Sequence, residues 1–460
     1  MTAPKPTELQ PPPGCPAHAG GVPLYGEEFA ANPTRTYDEL RKYGAVAPVE
    51  LSPGLTASLV TSYGPALEVL RDSETFPKDG RTWQATAPQD SPILGMLMYR
   101  PNVYHADGAP HARLRVTITD SFERVDANVL RRHIEQSADR LIDQFAGEGR
   151  ADLLNDYAKT LPLMVLQLLM GFPKDKGDQM MAAMSRVFDG IEPEKSNMEL
   201  AGLLVELIAM KRAEPGQDLT SWMLLHNAQL TDDEMIHQLV ILLGAGVEPT
   251  QNWIANALRL LLSDDRFAGD LAGGSMPVED ALVEVLWTDP PFSNFCMTYP
   301  TRDVEVAGTV LPKDKPVLIG LAAANTDPEL ASEGRAGNRA HLAFGGGAHV
   351  CPTQSQARLI ASVAIEKLLD RLPDLELAVA ADQLSWRPGP LHRALTALPV
   401  RFPPVPVQIG ETIGDSTWKD RPVPSSSTPP EPTSSPKQAS SGRRARPRWL
   451  NSLVGWWRGQ

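Results

Sequence analysis

One cysteine, Cys351, stands between a run of three glycines and a proline, within the stretch Phe344–Pro352. Consecutive glycines let the backbone pass close to a large, flat group. Pro352 suits the first position of a helix, where its missing N–H is not needed. The pattern therefore predicts that Cys351 lies at a helix start, where unpaired amides and the helix dipole favour the thiolate. A thiolate of this kind, with no second cysteine nearby, is suited to bind a metal ion.

The pattern Phe-Gly-x-Gly-x-His-x-Cys resembles the haem-binding loop of the cytochrome P450 family, the haem-thiolate monooxygenases. The resemblance implies that Cys351 is the axial ligand of a haem b iron and that Phe344, Gly345 and His349 help to bind the cofactor. The loop departs from the family after the cysteine, where Pro-Thr replaces the usual glycine two residues on. The alternative is a buried structural cysteine after a tight turn.

A second motif, Ala-Gly-Val-Glu-Pro-Thr at residues 245–250, is similar to the family's Ala-Gly-x-acid-Thr-Thr. The resemblance implies that Ala245 and Gly246 line the distal face of the haem, where oxygen binds. Gly246 would leave room there, and the proline would open the helix. Reduction of oxygen consumes protons, so Glu248 is the candidate relay, with Thr250 as a second candidate. The alternative is a proline-kinked buried helix.

Haem propionates are anions that require cationic or hydrogen-bonding partners. His111 and Arg115 lie four residues apart on one predicted helix face and match the family's His-x-x-x-Arg pair, with His349 as a third partner. The family's further arginine is replaced by Thr298, and Arg302 is out of register. Without the resemblance, such a pair would indicate a solvated helix face.

The family's Glu-x-x-Arg motif is also altered, because Trp287 occupies the position of its arginine after Glu284. An aromatic ring can fill the volume, but it cannot donate the guanidinium's fork of hydrogen bonds. Glu284 can still pair with Arg335 or Arg339. The chain looks most like a minority of soluble actinobacterial members that carry Glu-x-x-Trp, and we expect a structural role for this helix.

Hydrophobic periodicity predicts a mainly α protein with a minor β part, an α+β fold. A capping box of Thr231 and Glu234 predicts the start of a long, apolar central helix that reaches about Leu262. Alternating stretches near 47–51 and 58–61 predict a hairpin. The resemblance implies the cytochrome P450 fold, with this helix over the haem and small antiparallel sheets.

The chain has 460 residues, of which 42% are hydrophobic, so it can bury a large core. Length alone allows one large domain or two or three smaller ones, and the resemblance selects one haem-thiolate domain over 23–402. Residues 1–22 are Pro- and Gly-rich and predicted to be extended. Residues 403–442 are predicted to form a disordered Pro/Ser-rich linker, and residues 443–460 a basic, tryptophan-rich amphipathic tail.

The formal net charge of −13 argues against nucleic-acid binding. Residues 437–460 nevertheless hold six basic residues and no acidic one, beside three tryptophans. This tail could dock on anionic lipid or in a partner's groove, or it could fold back onto the enzyme. Three dispersed cysteines, and the lack of a signal peptide or a spanning apolar run, favour the reducing cytoplasm.

The resemblance implies insertion of one oxygen atom of O2 into a small hydrophobic substrate. The electrons would come from NAD(P)H through ferredoxin reductase and ferredoxin. The rival hypothesis is a haem protein that binds or senses within a membrane-associated complex, with weak turnover. It rests on four departures from the family pattern: Trp287, Pro249, Thr298 and Pro352-Thr353.

Overall fold

The computed structural model describes residues 21–188, 192–264, 278–330 and 338–407. The described residues fall into two compact units, one formed by 21–166 with 237–407 and the other by 167–236. The predicted tail at 443–460, most of the linker before it and most of the N-terminal stretch lie outside the described residues.

Helices dominate both units, as the periodicity predicted. They are α1 (Glu27–Ala31), α2 (Pro33–Arg41), α3 (Tyr63–Arg71), α4 (Arg81–Gln84), α5 (Leu94–Leu97), α6 (Gly108–Glu123), α7 (Ala127–Phe145), α8 (Leu161–Met170), α9 (Lys174–Phe188), α10 (Pro193–Ala213), α11 (Leu219–Leu224), α12 (Asp232–Ser263), α13 (Val278–Thr288), α14 (Leu321–Asn325) and α15 (Gln354–Arg371). A π-helical turn spans Leu153–Ala158, and short 3₁₀ turns span Gly347–His349 and Ala381–Gln383.

The minor β part consists of short strands in the first unit. They are β1 (Val22–Pro23), β2 (Val46–Ser52), β3 (Leu55–Val60), β4 (Arg150–Asp152), β5 (Phe295–Thr298), β6 (Val304–Val306), β7 (Thr309–Leu311), β8 (Val317–Ile319), β9 (Glu376–Leu377) and β10 (Pro399–Arg401). The predicted hairpin is confirmed, since β2 and β3 pair antiparallel.

The largest sheet, in the order β1-β2-β3-β8-β5, is mixed rather than antiparallel. β1 pairs parallel with β2, and β8 pairs parallel with β3. Parallel neighbours require a crossover connection, and the long helical segments between these strands provide one. The two smaller sheets, β4-β10-β9 and β6-β7, are antiparallel as expected.

The long helix α12 begins with the predicted capping box. The Thr231 N–H donates to Glu234 Oε2 at 2.9 Å, and the Glu234 N–H donates to Thr231 Oγ1 at 3.2 Å. Leu239, Leu243 and Val247 along the helix are fully buried. The helix continues through Pro249 without interruption, so the predicted central element is confirmed.

Helix α15, which follows the cysteine loop, is anchored by a buried cation near its C-terminus. The Arg371 guanidinium donates to Asp139 Oδ1 and Asp143 Oδ1, both on α7, at 2.6 Å each. Such paired, charge-assisted hydrogen bonds fix the direction of the helix. They therefore help to fix the residues at its opposite end, next to Cys351.

The second unit is held by its own polar contacts. Lys211 Nζ lies 2.6 Å from the buried Asp218 Oδ2, and the Thr220 hydroxyl donates to the Met170 carbonyl at 2.7 Å. Across both units, no described helix is long and apolar enough to span a bilayer.

Candidate functional site

The cysteine loop ends later than the sequence predicted. Helix α15 begins at Gln354 with Thr353 as its N-cap residue, so Cys351 and Pro352 lie in the turn before the helix. The prediction that Pro352 occupies the first helical position is wrong. The reason is local geometry, because Thr353 adopts the non-helical angles φ −122° and ψ 30°.

Short main-chain hydrogen bonds close the loop around the cysteine. The Cys351 N–H donates to the Phe344 carbonyl at 2.9 Å. Gly347 has φ +63°, and a Cβ atom there would lie 2.1 Å from the Leu70 carbonyl of α3. This glycine is thus required by its close approach to a neighbouring helix, a reason that the sequence did not reveal.

The surroundings of the Cys351 sulfur act on its pKa in opposite directions. Burial raises its pKa, and this effect outweighs the Thr353 N–H, the Thr353 hydroxyl and the Arg115 charge, which all lower it. The amide at the helix start thus acts in the predicted direction, but burial, which the sequence did not reveal, outweighs it. A metal ion changes this balance, because a coordinating thiol is deprotonated by the ion's own charge.

Two histidines meet beside the cysteine loop. The rings of His111 on α6 and His349 lie 4.2 Å apart, and His349 Nε2 lies 3.1 Å from Asp107 Oδ1. Burial and the neighbouring His349 lower the pKa of His111 to about 4. Within the described residues, His111 Nε2 is buried without a hydrogen-bond partner. Arg115 follows one turn later and is half-buried.

A buried lysine that the sequence analysis missed completes this cluster. Lys78 is 4% exposed, and its Nζ donates to the carbonyls of Cys296 and Met297 at 3.0 and 3.2 Å. The main-chain N–H of Lys78 donates to Asp107 Oδ2 at 2.7 Å. The ammonium therefore lies beside β5, the strand that carries Thr298 in place of the family's arginine. A single lysine in a loop gives no sequence signal of burial.

The motif at residues 245–250 of α12 contains one exposed residue and several that pack against neighbouring atoms. Ala245 is exposed in the middle of the helix, between the buried Leu243 and Val247. A Cβ atom on Gly246 would lie 2.8 Å from Leu166 Cδ1, so a larger residue there would displace the end of the Leu166 side chain on α8. The Thr250 hydroxyl donates to the Gly246 carbonyl at 2.7 Å and is thereby engaged by its own helix.

Glu248 is held by two partners from the segment after Gln383. One Arg387 N–H donates to Glu248 Oε1, and His392 Nε2 lies 3.7 Å from Glu248 Oε2. Burial opposes ionisation of Glu248, but the charges of His392 and Arg387 outweigh it and lower the pKa of the carboxyl. Burial also lowers the pKa of His392. Glu248 is thus a carboxylate at neutral pH.

Trp287 supports the segment that leads into the cysteine loop. Its indole N–H donates to the Asn338 carbonyl at 2.9 Å, and its ring meets the His341 ring edge-on at 5.8 Å. A tryptophan at this position therefore fills the volume and also supplies one donor. Arg335, one predicted partner of Glu284, lies outside the described residues.

Comparisons with known proteins agree with this geometry. No family model matches the chain. The chain is 34% identical over 391 residues to the cytochrome P450 monooxygenase PikC of Streptomyces venezuelae, covering 82% of this chain and 92% of PikC. The chain belongs to the cytochrome P450 family. It is also 32% identical over 405 residues to cytochrome P450 107B1 of Saccharopolyspora erythraea, covering 83% and 98%.

Solved structures also carry this P450's fold. CYP154C4 from Streptomyces sp. W2061 superposes with a TM-score of 0.74 at 29% identity, over 82% of this chain and 97% of that one. As a member of this family, the present chain is a haem b monooxygenase that uses O2, with NAD(P)H as the source of electrons. The described residues fit that cofactor, since a cysteine sulfur, the unpartnered His111 Nε2 and the Arg115 guanidinium are the donors that haem requires.

Proposed function

We propose that Cys351 ligates the haem iron and that His111, Arg115 and His349 hold the propionates. The observation that carries this assignment is the buried His111 Nε2, which has no partner among the described residues. The His111 ring lies 4.2 Å from the ring of His349, two residues before Cys351. A buried, unsatisfied donor next to a metal-binding loop is costly unless a ligand completes it. When bound, haem supplies the oxygen-activating chemistry of the family.

Lys78 extends this proposal to the position that lacks arginine. Two of the three ammonium hydrogens are used by main-chain carbonyls, and no carboxylate in the described residues contacts Nζ. A buried cation without a contacting counter-charge is unfavourable. A propionate would supply that counter-charge, so Lys78 does for this chain what the family's arginine does at position 298.

Glu248 is the proposed entry point for protons. Its carboxylate is 13% exposed, whereas its partner Arg387 is 40% exposed and reaches solvent. Movement of Arg387 between Glu248 and water would let the carboxylate accept a proton and pass it inward. Thr250 contributes through the helix backbone instead, because its hydroxyl proton is already donated to Gly246.

Electrons are proposed to enter from a ferredoxin that is reduced by a ferredoxin reductase. A cleft of about 460 Å³ beside the cysteine loop is lined by three arginines, two glutamates and the first turn of α15. Glu366 pairs with Arg131 and Glu279 with Arg358, so the arginines leave a net positive charge that includes the exposed Arg339. Basic side chains at this place complement an acidic electron carrier and steer its approach.

The substrate is proposed to be a small hydrophobic molecule. Named relatives include a vitamin D(3) 25-hydroxylase, a 2-hydroxy-5-methyl-1-naphthoate 7-hydroxylase and 6-deoxyerythronolide B hydroxylase, whose names all specify carbon-rich molecules.

The domain at 23–402 would work in the cytoplasm, where NAD(P)H is available. The proposed peripheral docking through 443–460 concerns residues outside the described structure. These enzymatic relatives do not favour the rival hypothesis of a weakly active sensor.

Reduction of the haem under carbon monoxide tests the electron pathway without a substrate. Supplied with NADPH, ferredoxin reductase and a [2Fe–2S] ferredoxin, the enzyme should form its ferrous–carbonyl spectrum at a rate that saturates with ferredoxin. Arg339→Glu should raise the half-saturating ferredoxin concentration about threefold to tenfold. Arg401→Glu, at an exposed arginine on β10 that pairs with Glu376 on the neighbouring strand β9, is the matched control and should have no effect. Absence of reduction at saturating ferredoxin would contradict the pathway.

A further inference from the structure

The residue two positions after the cysteine, where the family usually has glycine, is a threonine whose side chain faces the sulfur. Thr353 Oγ1 lies 3.6 Å from Cys351 Sγ, within hydrogen-bonding range for sulfur. The Thr353 N–H and hydroxyl both lower the pKa of the Cys351 thiol, against the larger opposite effect of burial. Pro352 between them has no N–H to offer. Thr353 therefore supplies two donors at a place where the intervening residue supplies none.

The orientation of the Thr353 hydroxyl is unusual for its position. Thr353 is the N-cap residue of α15, and a threonine there normally accepts a hydrogen bond from an amide of the first turn. In the described structure its side chain makes no such capping bond. The hydroxyl thus forgoes a stabilising interaction with its own helix and is turned towards the sulfur instead.

The ligand state of the sulfur fixes the direction of this hydrogen bond. A free thiol could donate its proton to the hydroxyl, but an iron-bound thiolate has no proton and can only accept. Resting on the proposed assignment of Cys351 as the iron ligand, we propose that the Thr353 hydroxyl donates to the ligating thiolate and raises the reduction potential of the haem. Thr353 acts here as a positioning residue, through the ligand rather than on the substrate.

The physical basis is the charge that remains on the sulfur. A donated hydrogen bond withdraws electron density from the thiolate, so less is available to stabilise the ferric state. The hydrogen bond therefore stabilises the ferrous state, in which the sulfur carries more negative charge, relative to the ferric state. Thr353 and its N–H thereby compensate for the donor that Pro352 lacks.

Spectroelectrochemical titration of the holoenzyme tests the proposal. Thr353→Val keeps the shape of the side chain but removes the hydroxyl. It should lower the equilibrium constant for haem reduction about fivefold, the size of one hydrogen bond, which corresponds to ~40 mV for a one-electron couple. Thr353→Ser should restore the wild-type potential. Ser355→Ala removes a nearby hydroxyl that contacts Gln356 instead and should leave the potential unchanged.

Each other outcome is decisive. An unchanged potential in Thr353→Val, with its ferrous–carbonyl band intact, would overturn the proposal while leaving Cys351 as the ligand. Loss of the thiolate-type band in Thr353→Val, with recovery of the band in Thr353→Ser, would mean that the hydroxyl holds the ligand rather than tunes it, and the proposal would be wrong. A wild-type holoenzyme without that band would overturn the ligand assignment itself.

Discussion

The indole N–H of Trp287 donates to the main-chain carbonyl of Asn338 at 2.9 Å. This bond links helix α13 to the chain thirteen residues before Cys351. It explains how a chain without the arginine of Glu-x-x-Arg still supports its cysteine loop. One directed donor and a buried ring replace the fork of a guanidinium.

Removal of that donor should weaken the support. Trp287→Phe retains an aromatic ring but leaves the Asn338 carbonyl without this partner. We expect the free energy of unfolding to fall by about 0.5–1.5 kcal/mol, the net contribution of one hydrogen bond, since Asn338 is exposed and water can replace the lost donor. Urea unfolding of the holoenzyme measures the change. Equal stability of the variant and the wild type would mean that the ring alone supports the loop.

Replacement of Lys78 separates its role towards haem from its role in the fold. Without haem, Lys78→Met should change the stability little, because it removes a buried charge but also leaves the Cys296 and Met297 carbonyls without this donor. With haem bound, the rate of haem loss should be at least about fivefold higher in the same variant, because a propionate loses its cation. Transfer of haem to an excess of apomyoglobin measures this rate, and Lys78→Arg is the control that keeps the charge. An unchanged rate in Lys78→Met would exclude the contact.

Glu248 and Thr250 should differ in their effect on catalysis. With a substrate that supports turnover, Glu248→Gln should lower kcat about a hundredfold, the usual contribution of a positioned proton-transfer group, and should increase the solvent isotope effect. Thr250→Val should change kcat much less, because its hydroxyl serves the helix backbone. Both variants should retain the wild-type ferrous–carbonyl spectrum. A larger loss in Thr250→Val than in Glu248→Gln would assign the relay to the threonine.

Stability should depend on pH through His105. Burial, followed by the charge of Arg100, lowers the pKa of His105 to about 3 in the folded protein, below its ordinary value of 6.5. Protonation then favours the unfolded chain, so the contribution of His105 is fully present above pH 6.5 and is lost as the pH falls towards 3. Between pH 7 and pH 5 this loss is about 2 kcal/mol.

His105→Asn isolates that contribution. The ring Nδ1 of His105 lies 3.1 Å from Asn102 Oδ1, and the amide of an asparagine can keep this hydrogen bond without titrating. The stability difference between wild type and variant should therefore shrink as the pH falls from 7 to 5, as measured by urea unfolding. A constant difference over this range would show that His105 does not carry the effect.

The sequence predicted those features that follow from local patterns. The Thr231/Glu234 capping box, the β2–β3 hairpin and the spacing of His111 and Arg115 each depend on residues close in the chain, and the structure has all three. The mainly α class with a minor β part followed from hydrophobic periodicity, and the cytochrome P450 fold from the motifs that the family shares. The parallel strand pairs of the large sheet were missed because they join distant segments.

The same limit applies to the candidate site. Lys78 and His392 reach it from loops far away in sequence, so no motif announces them. The acidity of Cys351 was misjudged because the pattern reveals a helix start but not the burial of the sulfur. Thr353 was noted only as a departure from the family. The sequence does not reveal that its hydroxyl lies next to the Cys351 sulfur, which only the structure shows.

The assignment of Cys351 as the haem ligand is tested most directly by the reduced carbon-monoxide difference spectrum. Wild-type protein should have the red-shifted Soret band of a thiolate-ligated ferrous haem. Cys351→Ser should lose that band, while Cys296→Ser, at the other described free cysteine, should keep it. A wild type without the band, or a Cys351→Ser variant that retains it, would contradict the account.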